Sequence, residues 1–365
     1  MICTSNERGR QTIAAEGLTL AQLTRFDDII DVRSPAEFAD DHLPGAANFP
    51  VLDNEQRAQV GTIYKQVSAF DAKKIGAALV ARNIADHVER HFIGKPKNWR
   101  PLVYCWRGGS RSGAMTHILN QIGWRAQQLP GGYKAYRSGV LAMLPALSGS
   151  FSYRVVCGPT GSGKSRLLAA LQEAGAQVLD LEGLAAHRGS LLGDLPDMEQ
   201  PSQKLFDSRL WQALQQFDPA QPVFVEAESK KIGKIRAPDA LLEAMWLHGA
   251  CIRIEMAQDQ RIALLKEEYR HFLDNPAALN EKLDHLAELH GKNVIGKWQE
   301  LSSRQEWDEL VAELLEKHYD PAYNKSTLKH YAQIGDAQVL RLAGIEAGDY
   351  RAAAGLASGQ RPITS

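Results

Sequence analysis

The chain has 365 residues, 44% of them hydrophobic and 23% charged; this is ordinary for a globular protein but longer than one domain usually runs, so two domains are expected. A formal net charge of −1 supplies no global attraction to a polyanion, so any nucleic acid has to be held by local basic patches. The N-terminus carries Glu7, Arg8 and Arg10 with no apolar segment behind them, no run approaches the ~20 apolar residues of a membrane span, and Cys3, Cys105, Cys157 and Cys251 lie far apart; the sequence reads as a cytoplasmic protein with no membrane contact, no zinc site and no disulfide framework.

The predicted elements alternate strand and helix. DDIIDVR (27–33) reads as a buried strand ending in charge, and SPAEFADD follows with Ser34 as N-cap, Pro35 at the first helical position and Glu37 three residues on. After the turn HLPGAANFP, a helical stretch is expected from Asp71 to about Phe92. Next come the strand RPLVYC (100–105) and a glycine loop entering a helix with apolar spacing at Met115, Ile118, Leu119 and Ile122. Beyond ALSGS the pattern restarts: the strand SYRVVCG, a second glycine loop and helix, then strands at QVLDLEG (177–183), PVFVEAES (222–229) and ACIRIEM (250–256). From Gln258 to about Lys317 the chain reads as wholly helical, and the Ala/Gly-rich tail from Ala343 is expected to be weakly ordered. The fold class is therefore two α/β domains, at 15–145 and 150–330, the second with a helical extension, and a helical or weakly ordered tail at 331–365.

Each domain carries one anion cradle. Cys105 ends a strand, and Trp106, Arg107, Gly108, Gly109 and Ser110 lead to Arg111 and a helix N-terminus. Such a loop turns several backbone N–H groups inward and, with the helix dipole and an arginine, stabilises a thiolate or a bound anion. The plainer reading is a small buried hydrophobe at a strand end. In the second domain Gly158, Gly163, Lys164 and Ser165 meet the pattern G-x-x-x-x-G-K-[ST], with Thr160, Gly161 and Ser162 inside the loop. Its glycines let the backbone wrap an oxyanion, Lys164 reaches the terminal phosphate, and the Ser165 hydroxyl can hold Mg²⁺. The loop specifies phosphate, not ATP. Cys157 just before it reads as a buried strand residue.

Other polar residues fall at strand ends, where this fold class keeps its chemistry. Asp180, Glu182, Glu226 and Glu228, with Arg188 after His187, either organise a metal or cap helices and face solvent. Lys230, Lys231, Lys234 and Arg236 in ESKKIGKIR either contact an RNA backbone or belong to a solvated loop. The aromatics of EEYRHF (267–272) and HYDPAYNKS (318–326) read as packing.

The spacing Cys-x5-Arg followed by serine, with DVRSPAEF and DDHLPGA upstream, resembles the rhodanese family of sulfurtransferases over about residues 15–145. Cysteine phosphatases share the Cys-x5-Arg loop, but the upstream segments favour rhodanese. That resemblance implies that Cys105 carries sulfur or selenium as a persulfide or selenopersulfide, and that Asp31 and Arg33 belong to a structural signature near the domain edge. The ordered set VGTIYKQ, CWRGGSRS, LPGGYKAYR, GPTGSGKS, DLEGLAAHRGS, VEAESKKIG and YDPAYNKS, over about residues 15–330, resembles the bacterial tRNA 2-selenouridine synthase family. This implies two reactions on 2-thiouridine at the tRNA wobble position: S-geranylation from geranyl diphosphate, then replacement of the geranylthio group by selenium from selenophosphate. One cradle then holds a diphosphate leaving group, with Mg²⁺ as its expected metal, while the other handles the chalcogen. Two other readings stay open: an ATP-dependent sulfurtransferase or kinase module fused to a rhodanese domain, and a non-catalytic RNA-binding adaptor.

Overall fold

A computed structural model describes residues 19–190, 192–196 and 198–359. Cys3, the charged residues Glu7, Arg8 and Arg10, residues 15–18 at the expected start of the first domain, and residues 360–365 of the tail lie outside the described residues. Two compact units are present, one within Met1–Leu144 together with Ser202–Gln215, the other within Pro145–Pro201 and Gln216–Ser365.

The first unit is built on β1 (Asp28–Asp31), β2 (Ala46–Asn48), β3 (Pro101–Tyr104) and β4 (Gln127–Gln128), all parallel in the order β2-β1-β3-β4. Ile30 stands between Ala47 and Val103, and Ile30, Val32, Val103, Met115, Leu119, Ile84 and Trp99 share one core. β1 and β3, buried along most of their length, read as short apolar runs and were legible; β2 lies within HLPGAANFP, expected as a turn, and the two-residue β4 was not expected, both being short and half exposed. The helix Pro35–Asp40 starts with the expected Ser34–Glu37 capping box. The stretch expected as one helix from Asp71 is the helix Ala69–His87 with a wider last turn at Val88–Phe92, preceded by a further helix, Asn54–Gln66.

One segment departs from chain order. The helix Gln203–Gln215 was expected inside the continuous second domain but belongs with the first unit. Its fully buried Trp211 ring lies 5.7 Å from Tyr136, and Asp207 pairs with Arg137 at 2.5 Å. An apolar helix face joins whichever core covers it, regardless of its place in the sequence.

The second unit contains β5 (Tyr153–Cys157), β6 (Gln177–Leu179), β7 (Val223–Glu226), the antiparallel pair β8 (Lys231–Ile232) and β9 (Ile235–Arg236), β10 (Ala250–Glu255) and β11 (Gln338–Arg341). The main sheet is parallel, in the order β11-β10-β5-β7-β6. Strand β5 lies at its centre with β10 on one side and β7 on the other, so the loop after β5 opens where the strand order reverses, the usual ligand position in such sheets. The strand expected over 177–183 stops at Leu179 because Asp180 caps the short helix Leu181–Ala185. The strand expected over 222–229 ends at Glu226.

From Gln258 through Tyr319 the described chain is helical, as expected, with a core that includes Phe272, Leu279, Leu283, Trp298, Leu310 and Leu314. The tail takes the helical of its two expected forms at Ala347–Ala357, and the strand within it was not expected. β11 adds an edge strand to the sheet, and the helix Ala347–Ala357 buries Tyr350, Ala353, Ala354 and Ala357 in the same core as Leu167, Leu168 and Leu171 of the helix Lys164–Glu173. Its alanines, which made the segment look featureless, leave room for two helices to approach closely. No helix among the described residues is long and apolar enough to cross a membrane.

Candidate functional site

Strand β3 delivers Cys105, 3% exposed, to the start of the first loop. Gly108 has φ +66°, where a Cβ would come 2.7 Å from the Leu129 carbonyl oxygen, and Gly132 at φ +57° lies directly against the Cys105 carbonyl. Only glycine fits either place. The Tyr133 N–H donates to the Cys105 carbonyl and the Lys134 N–H to the Trp106 carbonyl, each at 2.9 Å, so LPGGYKAYR is the frame that shapes the cysteine loop.

Ser112 Oγ donates to Cys105 Sγ at 3.1 Å. Gln128 Nε2 in turn donates to Ser112 Oγ at 2.8 Å, to the Gly108 carbonyl at 2.6 Å and to the Gly109 carbonyl at 3.1 Å. Burial pushes the Cys105 thiol up, but the side-chain and backbone hydrogen bonds from Ser112, the Arg111 charge and the Gly109 amide outweigh it and leave the thiol below its ordinary value. Arg111 pairs with Glu37 at 2.8 Å, so its charge acts on the sulfur without direct contact. Trp106 is 40% exposed, its ring 5.3 Å from Tyr133, and Arg107 and Lys134 line an open cleft of about 590 Å³ beside the loop. The loop's open side therefore presents two cations and an indole.

Asp31 and Arg33 were expected near the domain edge. They are instead fully buried as an ion pair of 2.6 Å, with the guanidinium 4.0 Å from the Tyr133 ring centre and donating to the Asp41 carbonyl at 2.5 Å. They hold up the frame of the cysteine loop and do not line it.

In the second loop Gly161 and Gly163 both take φ +76°. Lys164 Nζ donates to the Gly158 carbonyl at 2.9 Å, which stations the ammonium across the loop. Thr160 is gripped from behind: its carbonyl accepts from Arg261 Nε at 2.9 Å and Nη2 at 2.8 Å, and Arg261 is held by Asp320 through two bonds of 2.6 and 3.0 Å. Leu265 packs on the Gly161 backbone, and the Tyr350 hydroxyl lies on that of Gly163. Ser162 is fully buried. Cys157 is a buried strand residue whose thiol is pushed up by neighbouring Cys251 and by burial, which favours its protonated form.

The carboxylates at the strand ends divide. Asp180 is a cap, its Oδ1 accepting from the Gly183 N–H at 2.7 Å. Ser165 Oγ donates to Glu182 Oε2 at 3.1 Å, and the Glu182 N–H donates to Glu226 Oε1 at 2.8 Å. Burial, reinforced by Glu182, Asp180 and Glu228, raises the Glu226 carboxyl well above its usual range. Burial and the Glu182 charge push Glu228 up to about 8, with Lys164 opposing. Glu182 is likewise raised by burial. No three His, Cys, Asp or Glu among the described residues form a ready metal cage. Mg²⁺ asks for less: one or two protein oxygens, with phosphate oxygens and waters completing its shell. Ser165 and Glu182 fit that demand, and behind them the buried Glu226 Oε2 has no hydrogen-bond partner among the described residues.

Arg188 is spent on packing, its Nη1 donating to the Glu268 carbonyl at 2.6 Å and its guanidinium 4.8 Å from the Tyr269 ring. The basic stretch is a hairpin turning at Gly233, with Lys231 opposite Arg236 on its exposed side and Lys234 anchored through its backbone to Gln200. Lys230 pairs with Asp239 at 2.6 Å. Sequence reasoning passed over Gln128, Arg261, Asp320 and Tyr350. Only Asp320 lay in a segment already singled out, and there the aromatics drew attention.

A rhodanese-like domain model matches residues 17–138, and a model for the tRNA 2-selenouridine synthase AAA domain matches residues 151–293. The tRNA 2-selenouridine synthase of Nitrosomonas europaea is 31% identical over 81% of this chain and 88% of its own length. That of Alcanivorax borkumensis is 36% identical over 66% of each, and that of a Sulfurovum species 31% identical over 85% and 92%. With both models matched in turn along one chain, and relatives of 31% identity aligned across more than four fifths of both lengths, the chain belongs to the tRNA 2-selenouridine synthase family.

Proposed function

We propose that the protein is a cytoplasmic tRNA-modifying transferase that converts wobble 2-thiouridine to 2-selenouridine through an S-geranyl intermediate. The observation that carries the reading is the presence of two anion loops of unlike chemistry on one chain: one presents a buried thiol held toward its thiolate, the other a lysine and backbone amides suited to a phosphate group.

In the first reaction the thiouridine sulfur attacks C1 of geranyl diphosphate. A C–S bond forms, the C–O bond breaks with its electron pair leaving on diphosphate, and the base gives up its N3 proton. Charge grows on the departing oxygens, and the loop amides with Lys164 stabilise it. Mg²⁺ bound by Ser165 and Glu182 would add Lewis-acid stabilisation of that charge. In the second reaction selenium replaces the geranylthio group at C2. A C–Se bond forms, the C–S bond breaks with its pair leaving on geranylthiolate, and water takes the phosphoryl group of selenophosphate to phosphate. No net oxidation occurs. Cys105 is the nucleophile toward the donor's phosphorus: an S–P bond forms as the P–Se bond breaks with its pair on selenium, water then cleaves the S–P bond to release phosphate and the thiolate, and Arg107 and Lys134 supply positive charge for that phosphate. Lys231, Lys234 and Arg236 contact the tRNA backbone, with Lys230 joining them on release from Asp239.

Mass analysis of wobble nucleosides from cells with and without this chain tests the proposal. Loss of both the geranylated and the selenium-containing uridine is expected on deletion. Retention of either one overturns the two-step assignment.

A further inference from the structure

Beside the phosphate loop runs a narrow crevice whose wall includes Thr160 of the loop and, from the helical extension, Leu265, Phe272, Leu279, Leu310 and Leu314. Among the described residues no charged side chain lines it, and its free volume is about 50 Å³. Resting on the reading of the second loop as a diphosphate cradle, we propose that this crevice receives the hydrocarbon chain of the prenyl donor.

Three observations carry the assignment. First, crevice and loop are contiguous. Leu265 lines the crevice and also packs so closely on Gly161 that a Cβ there would fall 2.7 Å from its Cγ. Second, they are fixed to one another. Arg261, one turn earlier on the same helix, Gln258–Glu268, holds the Thr160 carbonyl with two bonds, so one helix sets the loop and walls the crevice. Third, the chemistry is that of an amphiphile. A ligand with its anionic head on the Lys164 loop would put an adjoining chain against leucine and phenylalanine, and burying successive methylenes there is favourable. At about 50 Å³ the slot admits either ligand only as its walls, Tyr269, Phe272, Trp307 and Tyr319 as well as the leucines, turn aside. What favours a prenyl chain over a ribose and base is that this apolar lining leaves hydroxyls and ring nitrogens with few hydrogen-bond partners.

Hydrogen exchange on the full chain tests the assignment without any substitution. Geranyl diphosphate should slow exchange in the helices Pro276–Asp284 and Trp307–Leu314 as well as in the loop, whereas inorganic diphosphate should slow it in the loop only. Equal patterns for the two ligands overturn the crevice. Half-buried Val311 and Leu273, which also line it, give variants with less risk to folding. Val311→Trp and Leu273→Trp should each weaken geranyl diphosphate at least ~10-fold, the scale of a few apolar carbons denied burial. Inorganic diphosphate binding should stay unchanged, which also reports an intact loop. If either variant keeps its diphosphate affinity and binds geranyl diphosphate as the parent does, the chain lies elsewhere. Failure of the donor reading itself looks different: the parent protein would then bind geranyl diphosphate no better than inorganic diphosphate, and ligand-induced protection would be absent from the extension altogether.

Discussion

The Ser112 hydroxyl donates its hydrogen to Cys105 Sγ while accepting one from Gln128 Nε2, at 3.1 and 2.8 Å. Gln128 thus occupies an acceptor site of the hydroxyl and turns its O–H toward the sulfur, where it favours the thiolate. Ser112→Ala should slow alkylation of Cys105 by iodoacetamide at neutral pH by roughly 3- to 10-fold, the scale of one hydrogen bond to a charged group, and move the pH inflection upward. Gln128→Ala should shift it in the same direction by less. An unchanged profile in Ser112→Ala would show that Arg111 and the loop amides alone set the thiol.

Asp320 and Arg261 form the clamp behind the phosphate loop. Asp320→Ala leaves a mostly buried guanidinium without its partner, and because Asp320 is itself 31% exposed, water recovers part of the loss. A destabilisation of about 2 kcal/mol is expected, below the range for fully buried pairs, together with weaker diphosphate binding as the Thr160 carbonyl loses its anchor. Chemical denaturation and diphosphate titration measure the two effects. Lost stability with unaltered diphosphate affinity would make the clamp a packing feature only.

These two relationships also mark the limit of what the sequence conveys. The strand around Ile30, the strand before Cys105 and both glycine loops were legible because each is a contiguous run whose residues declare their local conformation. Gln128 sits on a two-residue strand with no periodicity of its own. Arg261 and Asp320 lie 59 residues apart and meet only in the folded helical extension. Tyr350 was hidden in a segment of Ala and Gly whose small side chains signal flexibility when read alone, yet permit close packing on the helix of the phosphate loop. Local chemistry was readable; the supports behind it depend on long-range pairing.

Glu228 makes stability depend on pH in a stated direction. Its carboxyl is raised from 4.5 to about 8 in the folded chain, so between those values the folded state holds more protons than the unfolded one. Stability from this group is therefore greatest at the acid end of the window and falls as pH climbs through about 8. Histidines lowered by burial, among them His87, His187 and His318, tilt the curve the other way, so the test is the difference between variants. Between about pH 5 and pH 8 the denaturation midpoint of Glu228→Gln should fall less, or rise more, than the parent's; equal slopes would contradict the burial argument.

Lys231 and Arg236 face each other across the basic hairpin, with Lys234 at its turn, whereas Lys230 is engaged by Asp239. If the hairpin holds tRNA phosphates, Lys231→Ala with Lys234→Ala should reduce affinity and lower the slope of log affinity against log salt by about 1 to 2, since each phosphate no longer neutralised accounts for roughly 0.7 to 0.9. Lys230→Ala should matter less. Identical slopes for the parent and the double variant would remove the hairpin from the tRNA path.

The two reactions should separate by mutation in one direction only. If the second loop holds the departing diphosphate, Lys164→Ala removes the ammonium that faces it, so geranylation should fall by at least ~10²-fold, the scale for removing one major electrostatic interaction from a transition state. Selenation of unmodified thiouridine tRNA should then fall with it, because the geranylated intermediate is no longer made. Cys105→Ala leaves the phosphate loop untouched, so geranylated tRNA should accumulate. Supplying each variant with pre-geranylated tRNA and selenophosphate distinguishes the roles: the Lys164 variant should recover selenation, while the Cys105 variant should not. Recovery requires that selenophosphate bind at the cysteine loop, where Arg107 and Lys134 line the cleft, and not at the phosphate loop. A Lys164 variant that stays inactive on the intermediate would therefore relocate the selenium donor. A Cys105 variant that selenates it at the parent rate would make the thiol structural, despite its bond from Ser112.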